Sequence, residues 1–556
     1  MTERPRVLQE LGDELDRAAG RVLTGKRRRF GTLGVGSAMA GLAVASALAV
    51  AAVAILLIGH RHPGQTGRRT AATSVPRGEI VDRDGNVLVG HRRGIDIQIV
   101  PADLPVPIRG HSLPALLTPP AADQQIYDRL AQVLRISTRA RACEVTGRHA
   151  QLTPVACDVA RAAYLLPDAN VTIASDVRPA VGHALAGSLP GVTEATVYLN
   201  SYPHGDLAAQ LLGYVGPITP AQLRESQFGG LPANAVVGQT GLEAFYDRYL
   251  RRRDKLETSL DLRLEQVGQA SLARSISHNA PANAGGAFVA MDPQNGQVYA
   301  MGSLPAYNPT VFTKPISDRE YERLFGSGTN SPQVDRATDG LYPTGSTFKP
   351  ITALAALESG AWNLGETYDD TGEYCFTRGS CLHNSGKAAY GVVNMTDALR
   401  VSDGDFFYDL GAKLNVNPTT HRQGGALQQW ARLFGIGQGT GIDLPYAASG
   451  NLPTPAWRAK LSAQELRYEQ RHHSRCCTIT RPGPWTVSDN VNLAVGQGEL
   501  QVTPLQLAVA YAAIANGGAV VHPHIATKVV NAAGREVLEM IDPPPARHIS
   551  IDAQDL

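Results

Sequence analysis

The stretch "YPTGSTFKP", residues 342–350, decides how this chain reads. Ser346 and Lys349 stand three apart, Gly345 precedes the serine, and the apolar run "ITALAALESG" carries on to Gly360. At the start of a helix, residues three apart share a face, with Cβ atoms about 5–6 Å from each other. A serine hydroxyl is a poor nucleophile until a base removes its proton. A lysine whose pKa is lowered by burial can be that base. Backbone N–H groups at the helix N-terminus would face an oxyanion formed beside the serine. The segment therefore permits serine acyl transfer. Ser-x-x-Lys also arises about once or twice by chance in a chain of ordinary composition and this length, so the surrounding sequence has to decide.

Outward from this point, the helical pattern ends at Gly360, a suitable C′ glycine. "VTPLQLAVAYAAIANGG" (502–518) predicts a helix with Thr503 as N-cap, Pro504 in its first turn and Gly517 just past its end. Upstream, "GGAFVAMDPQNGQVYAMGS" (285–303) holds two strand-like runs around Asn-Gly, a strong hairpin signal. "VPRGEIVDRDGNVLVGH" (75–91) predicts a second hairpin across Asp-Gly. Ile126, Leu130, Val133 and Leu134 give helical spacing over 123–135, and "LAAQLLGYV" (207–215) predicts a short apolar helix. Hairpins mixed with substantial helices indicate an α/β layered fold in the second half. No internal repeat of 20–50 residues is present.

The 556 residues leave room for two or three domains, and a net charge of +1 gives no general attraction to nucleic acid. Gly31–Ile58 carries no charge over 28 residues, more than the ~20 a bilayer-spanning helix needs. "KRRRF" (26–30) precedes it. Within about 20 residues on each side, Lys and Arg number six before and four after, a mild positive-inside bias. The expectation is a cytoplasmic tail over 1–30, a transmembrane helix over 31–58, and everything from Gly59 outside the membrane. Outside, disulfides are permitted. Cys143–Cys157 and Cys375–Cys381 are the first pairings to expect, with free thiols the alternative and Cys476 and Cys477 left over. No Cys-x-x-Cys with partner histidines suggests a zinc site.

With these segments in order, the chain resembles the class B penicillin-binding proteins, membrane-anchored D,D-transpeptidases that cross-link peptidoglycan. The resemblance runs from about Pro76 to Leu556. "RGEIVDRDG", "SYPHGDLAAQLLGYVG" and "GQTGLEAFYDRYL" are similar to the family's pedestal domain. "GAFVAMDPQNGQVYAMGSLPAYNP", "RATDGLYPTGSTFKPITALAALESG", "FGIGQGTGIDLP" and "AVGQGELQVTPLQLAVAYAAIANGG" are similar to its transpeptidase domain. The pedestal segments look most like the elongation-type members, which work beside a membrane glycan polymerase. The resemblance implies a penicillin-binding transpeptidase (serine β-lactamase-like) α/β domain over 256–556. It also implies a mixed, mainly β pedestal over 59–255. Neither a cofactor nor a metal is implied. Ligands implied are D-Ala-D-Ala stem peptides and β-lactams.

The same resemblance assigns Ser346 as nucleophile, Lys349 as its base and Ser402 as the serine of the Ser-x-Asn/Asp motif, 402 − 346 = 56 residues on. Its third position is Gly404, so Asp403 or Asp405 is the candidate to help hold the substrate amide. A literal "SDN" at Ser488–Asn490 lies 488 − 346 = 142 residues past the nucleophile. It is expected to be structural, in a turn entering a strand. No Lys-Thr/Ser-Gly follows Ser402, and the expectation is a chain cut short of the strand that carries it. Alternatives are a D,D-carboxypeptidase or β-lactam hydrolase on the same scaffold, and a non-catalytic membrane protein that binds partners through its pedestal.

Overall fold

The computed structural model describes residues 76–108, 116–165, 170–231, 235–279, 284–314, 316, 318–377, 380–474 and 482–556. The expected cytoplasmic tail, the charge-free span 31–58 and the pair Cys476–Cys477 lie outside the described residues. Among those described, no helix is long and apolar enough to cross a membrane.

The hairpin expected around Asp-Gly forms, and local chemistry accounts for it. Strand Ile80–Val81 pairs antiparallel with Val87–Ile99. Between them the Asp82 carboxylate accepts from the Asp84 and Asn86 N–H groups (2.9 and 2.7 Å), and Gly85 takes φ +86°. This aspartate-anchored turn fixes the register. The long strand Val87–Ile99 then pairs with Val192–Ser201 and, at its far end, with Val171–Ala174. On the other side, Lys255–Thr258 runs parallel to Ile80–Val81. Ala526–Val530 pairs antiparallel with Lys255–Thr258, and Val537–Met540 closes the row. One seven-stranded sheet thus joins strands from the first and the last parts of the described chain.

The pedestal is mixed as expected, but not mainly β. Helices Ala121–Leu134, Pro154–Leu165 and Pro179–Ser188 cover its sheet and share a core with Ile97, Ile99, Val171 and Val192. The helix Pro154–Leu165, not expected from the sequence, buries Val155, Ala156, Cys157, Val159, Ala160 and Ala163. The disulfide Cys143–Cys157 ties this helix to strand Arg141–Val145. The helix expected over 207–215 shrinks to Ala209–Leu212. Gly213 ends it at φ +77°, where any Cβ would lie 1.9 Å from the Thr240 carbonyl oxygen. The chain leaves as strand Val215–Pro217.

In the second half the Asn-Gly hairpin forms as Gly286–Met291 paired with Val298–Leu304. A helical core packs beside it, built from Phe348, Ile351, Phe406, Phe407, Leu493 and Val509. The helix Pro504–Ala515 starts as read. Thr503 Oγ1 accepts from Gln506 N–H (3.1 Å), and Gln506 Oε1 accepts from Thr503 N–H (3.0 Å). This reciprocal pair satisfies two orphan donors of the first turn.

Candidate active site

Ser346 lies in a single 3-10 turn, Gly345–Phe348, that runs straight into the helix Lys349–Glu358. Several contacts hold the turn. Gly345, at φ +56°, donates to the Gly496 carbonyl (2.8 Å). The Tyr511 hydroxyl donates to the Thr347 carbonyl (2.8 Å). Phe348 is fully buried beneath. These anchors leave Ser346 exposed while Lys349, one turn on, is buried.

The lysine reaches across 53 residues of sequence. Its Nζ donates to the Ser402 carbonyl (2.7 Å) and to Ser402 Oγ (3.2 Å), and it lies 5.4 Å from the centre of the Phe407 ring. Burial lowers its pKa to about 8, with nearby Asp403 pulling the other way. About a tenth of this amine is therefore unprotonated at pH 7, against well under a thousandth for an ordinary lysine, and the neutral amine is the state a proton acceptor requires. Among the described residues the hydrogen bonds of Lys349 go to Ser402, not to Ser346.

Ser402 owes its position to the corner between two helices. Helix Met395–Val401 begins at Asn394, whose side chain accepts from Asp397 N–H (2.8 Å). It ends at Ser402 in the left-handed conformation, φ +57° and ψ +45°. Helix Gly404–Lys413 follows at once, with Asp403 Oδ1 accepting from Phe406 N–H (3.0 Å). A serine held at positive φ is strained, and such strain gathers at functional sites. The corner turns both the carbonyl and the hydroxyl of Ser402 toward the lysine.

Asp403, Gly404 and Asp405, expected to help hold substrate, are all buried and turned to structural partners. Asp405 accepts from the Tyr368 hydroxyl (2.8 Å) and from Thr371 N–H (3.1 Å). Gly404 N–H donates to Asn384 Oδ1 (2.6 Å). Burial raises the pKa of both aspartates. The physical reason is the sharp corner: the first turn of helix Gly404–Lys413 leaves N–H groups to satisfy, and Asn384 takes those of Gly404 and Asp405 while Asp403 takes that of Phe406.

The literal "SDN" stands elsewhere. It is not a turn entering a strand but the first turn of helix Val487–Ala494. Asp489 forms a reciprocal cap with Thr486 (2.7 Å), a helix-start pattern present in "TVSDN" that the motif reading passed over. Asn490 is buried. Its Nδ2 donates to the Gly411 carbonyl (2.7 Å), and its Oδ1 accepts from Gln428 (2.9 Å). Sequence reasoning missed Tyr511 and Asn384. Tyr511 carries no local signal, being one aromatic on an alanine-rich helix. Asn384 follows a hairpin closed by the disulfide Cys375–Cys381, where the paired cysteines were the only hint.

With this geometry in view, comparison with known proteins is decisive. The penicillin-binding protein transpeptidase domain matches residues 286–556, and the penicillin-binding protein dimerisation domain matches 72–260. The chain belongs to the class B penicillin-binding proteins. The peptidoglycan D,D-transpeptidase MrdA of Acinetobacter baumannii is 31% identical over 60% of this chain and 48% of its own length. MrdA of Escherichia coli is 29% identical over 60% of this chain and 52% of its own. This penicillin-binding protein thus spans about half the length of the curated relatives it matches. The Pseudomonas aeruginosa PBP2, solved in complex with WCK 5153, is 28% identical, with a TM-score of 0.51 over 64% of this chain and 71% of that one. The Helicobacter pylori PBP2 solved in complex with MreC shares the fold at 21% identity, with a TM-score of 0.61 over 82% of this chain and 79% of that one.

Proposed function

We propose that this penicillin-binding protein is a peptidoglycan D,D-transpeptidase working through a serine acyl-enzyme. The observation that carries the reading is the buried Lys349, its pKa lowered to about 8, fixed on Ser402 one turn beyond an exposed Ser346. In the reaction, Ser346 Oγ attacks the carbonyl carbon of a stem peptide's terminal D-Ala-D-Ala bond. Lys349 takes the hydroxyl proton. Backbone N–H groups at the start of the nucleophile helix face the oxyanion. The C–N bond breaks, and the departing D-Ala amine receives its proton from the lysine by way of Ser402 Oγ. A neighbouring stem's amine then attacks the acyl ester, giving the cross-link and restoring the Ser346 hydroxyl. A β-lactam enters by the same first step, its ring amide bond opening onto Ser346.

The resemblance of the pedestal segments to elongation-type members favours a role in side-wall growth, beside a membrane glycan polymerase. The charge-free span 31–58 supports a single anchor, with 1–30 on the cytoplasmic side and both matched domains outside. Deleting residues 1–58 is expected to release the protein from membranes; persistent sedimentation with them would reveal another anchor. The chemistry is tested with a fluorescent penicillin followed by mapping of the labelled peptide. Label on Ser346 with no release of hydrolysed β-lactam is expected. Rapid release would favour the hydrolase alternative, and absence of label would favour a non-catalytic protein.

A further inference from the structure

The Ser402 corner depends on a residue that no active-site motif contains. Asn384 is buried, and each polar atom of its side chain is used. Its Oδ1 accepts from two consecutive backbone donors, Gly404 N–H (2.6 Å) and Asp405 N–H (2.9 Å). Its Nδ2 donates to both carboxylate oxygens of Asp370 (3.0 Å each) and to the Ala388 carbonyl (2.9 Å). Asp370, also buried, accepts in turn from the Gly372 and Tyr390 N–H groups (2.7 Å each). Asn384 N–H donates to the Gly372 carbonyl (3.1 Å), so the pair closes the base of the hairpin Glu373–Thr377 and Ser380–His383. The Cys375–Cys381 disulfide crosses that hairpin.

The absent side chain at 404 fits this arrangement. A Cβ on Gly404 would lie 3.1 Å from Asn384 Oδ1 and 3.3 Å from the Tyr408 ring, tighter than ordinary van der Waals contact. Glycine there leaves room for a carboxamide brought from another segment. We propose that Asn384 is a positioning residue of the reaction. Delivered by the disulfide-closed hairpin, it pins the first two N–H groups of helix Gly404–Lys413 and so holds the left-handed Ser402 against Lys349. The inference rests on the transpeptidase reading for its catalytic consequence, and on hydrogen bonding alone for its structural one.

Asn384→Ala removes the acceptor and leaves two buried donors without a partner, a loss felt well beyond an average hydrogen bond. The corner loosens and water reaches Lys349, whose main perturbation is burial and whose charged neighbour is Asp403. Relief of burial returns the lysine toward its ordinary, higher pKa, so the pH midpoint of penicillin acylation moves up. A merely structural defect would lower the amount of active protein and leave that midpoint in place.

The experiment measures three quantities in the full-length protein: amide hydrogen exchange at Gly404 and Asp405, the rate of fluorescent-penicillin acylation, and its pH midpoint. For Asn384→Ala, faster exchange at both amides, a roughly 10- to 100-fold slower acylation and a higher midpoint are expected. Asn384→Asp keeps the acceptor but sets a second carboxylate against Asp370. Pairing it with Asp370→Asn restores a donor–acceptor contact and is expected to recover part of the rate and midpoint, a rescue that holds even if the alanine variant fails to fold. Cys375→Ser with Cys381→Ser is expected to shift all three in the same direction by less. Unchanged exchange and midpoint in Asn384→Ala, or no recovery in the exchanged pair, overturns the proposal. Absence of label on Ser346 in the unaltered protein would instead overturn the transpeptidase reading, and the exchange measurement would still judge the pinning.

Discussion

Two segments begin Ser-Asp and open a helix, and they do opposite things. Ser402-Asp403-Gly404 departs from the expected motif at its third position, yet its serine receives the buried Lys349, one turn beyond Ser346. Ser488-Asp489-Asn490 spells the motif in full, yet its asparagine points into the core. The two are mechanically linked. Asn490 donates to the carbonyl of Gly411, in the helix that Ser402 introduces. Gly411 itself is packed so closely that a Cβ would come 2.8 Å from Ala494 and Val491 atoms. The literal copy therefore braces the degenerate one. Three letters specify a local turn; the role of a serine comes from what the rest of the chain brings to it.

The sharpest way to break this contrast is to remove one hydroxyl at a time. Ser346→Ala is expected to abolish covalent penicillin labelling, whereas Ser488→Ala should label like the unaltered protein. Label retained in the first, or lost in the second, would reverse the assignments. Lys349→Met keeps most of the side chain's bulk and removes the base. Acylation is expected to fall about 10²–10⁴-fold, and a loss smaller than tenfold would mean that another group accepts the proton.

The pH profile sharpens the same point. Lys349 acts as a base only when neutral, and its pKa is lowered to about 8. Acylation should therefore rise with pH, roughly tenfold per unit well below the midpoint, and level off above about 8. A flat profile between pH 6 and 9 would exclude this amine as the acceptor. The smallest effect belongs to the bracing copy. Asn490→Ala leaves the Gly411 carbonyl and Gln428 without their partner, an expected loss of about 1–3 kcal/mol of stability. Thermal unfolding would show it. The acylation rate per folded molecule should stay near that of the unaltered protein.

Much of the fold was legible because turns and caps are short-range chemistry. The Asp82 turn, the Asn-Gly hairpin at 286–304 and the Thr503 cap each follow from residues within a few positions of one another. The pairing of Ser346 with Lys349 was legible as a candidate for the same reason, the two lying one turn apart. What stayed hidden depends on distant partners. Nothing around Asn384 announces that its carboxamide meets the chain twenty residues later. Nothing on the helix 504–515 announces that Tyr511 holds the turn of Ser346. Spacing brings Asp403 and Asp405 near Ser402 but does not show which way a buried carboxylate faces.

The seven-stranded sheet also sets a timetable. Lys255–Thr258 gets its partner on one side from Ile80–Val81, but its other neighbour is Ala526–Val530. At about 5–20 residues per second of synthesis, some 270 residues separate the two by roughly 15–55 s. Throughout that interval one side of the earlier strand has unpaired N–H and C=O groups, an invitation to mispairing. Its sequence is suited to the wait. Leu256 and Thr258 face the core, while Lys255 and Glu257 alternate outward, joined at 2.9 Å. When the late strand arrives, Lys528 closes on that same Glu257 at 2.9 Å. The charge that discourages strangers while the ribosome is still working becomes the contact that receives the rightful neighbour.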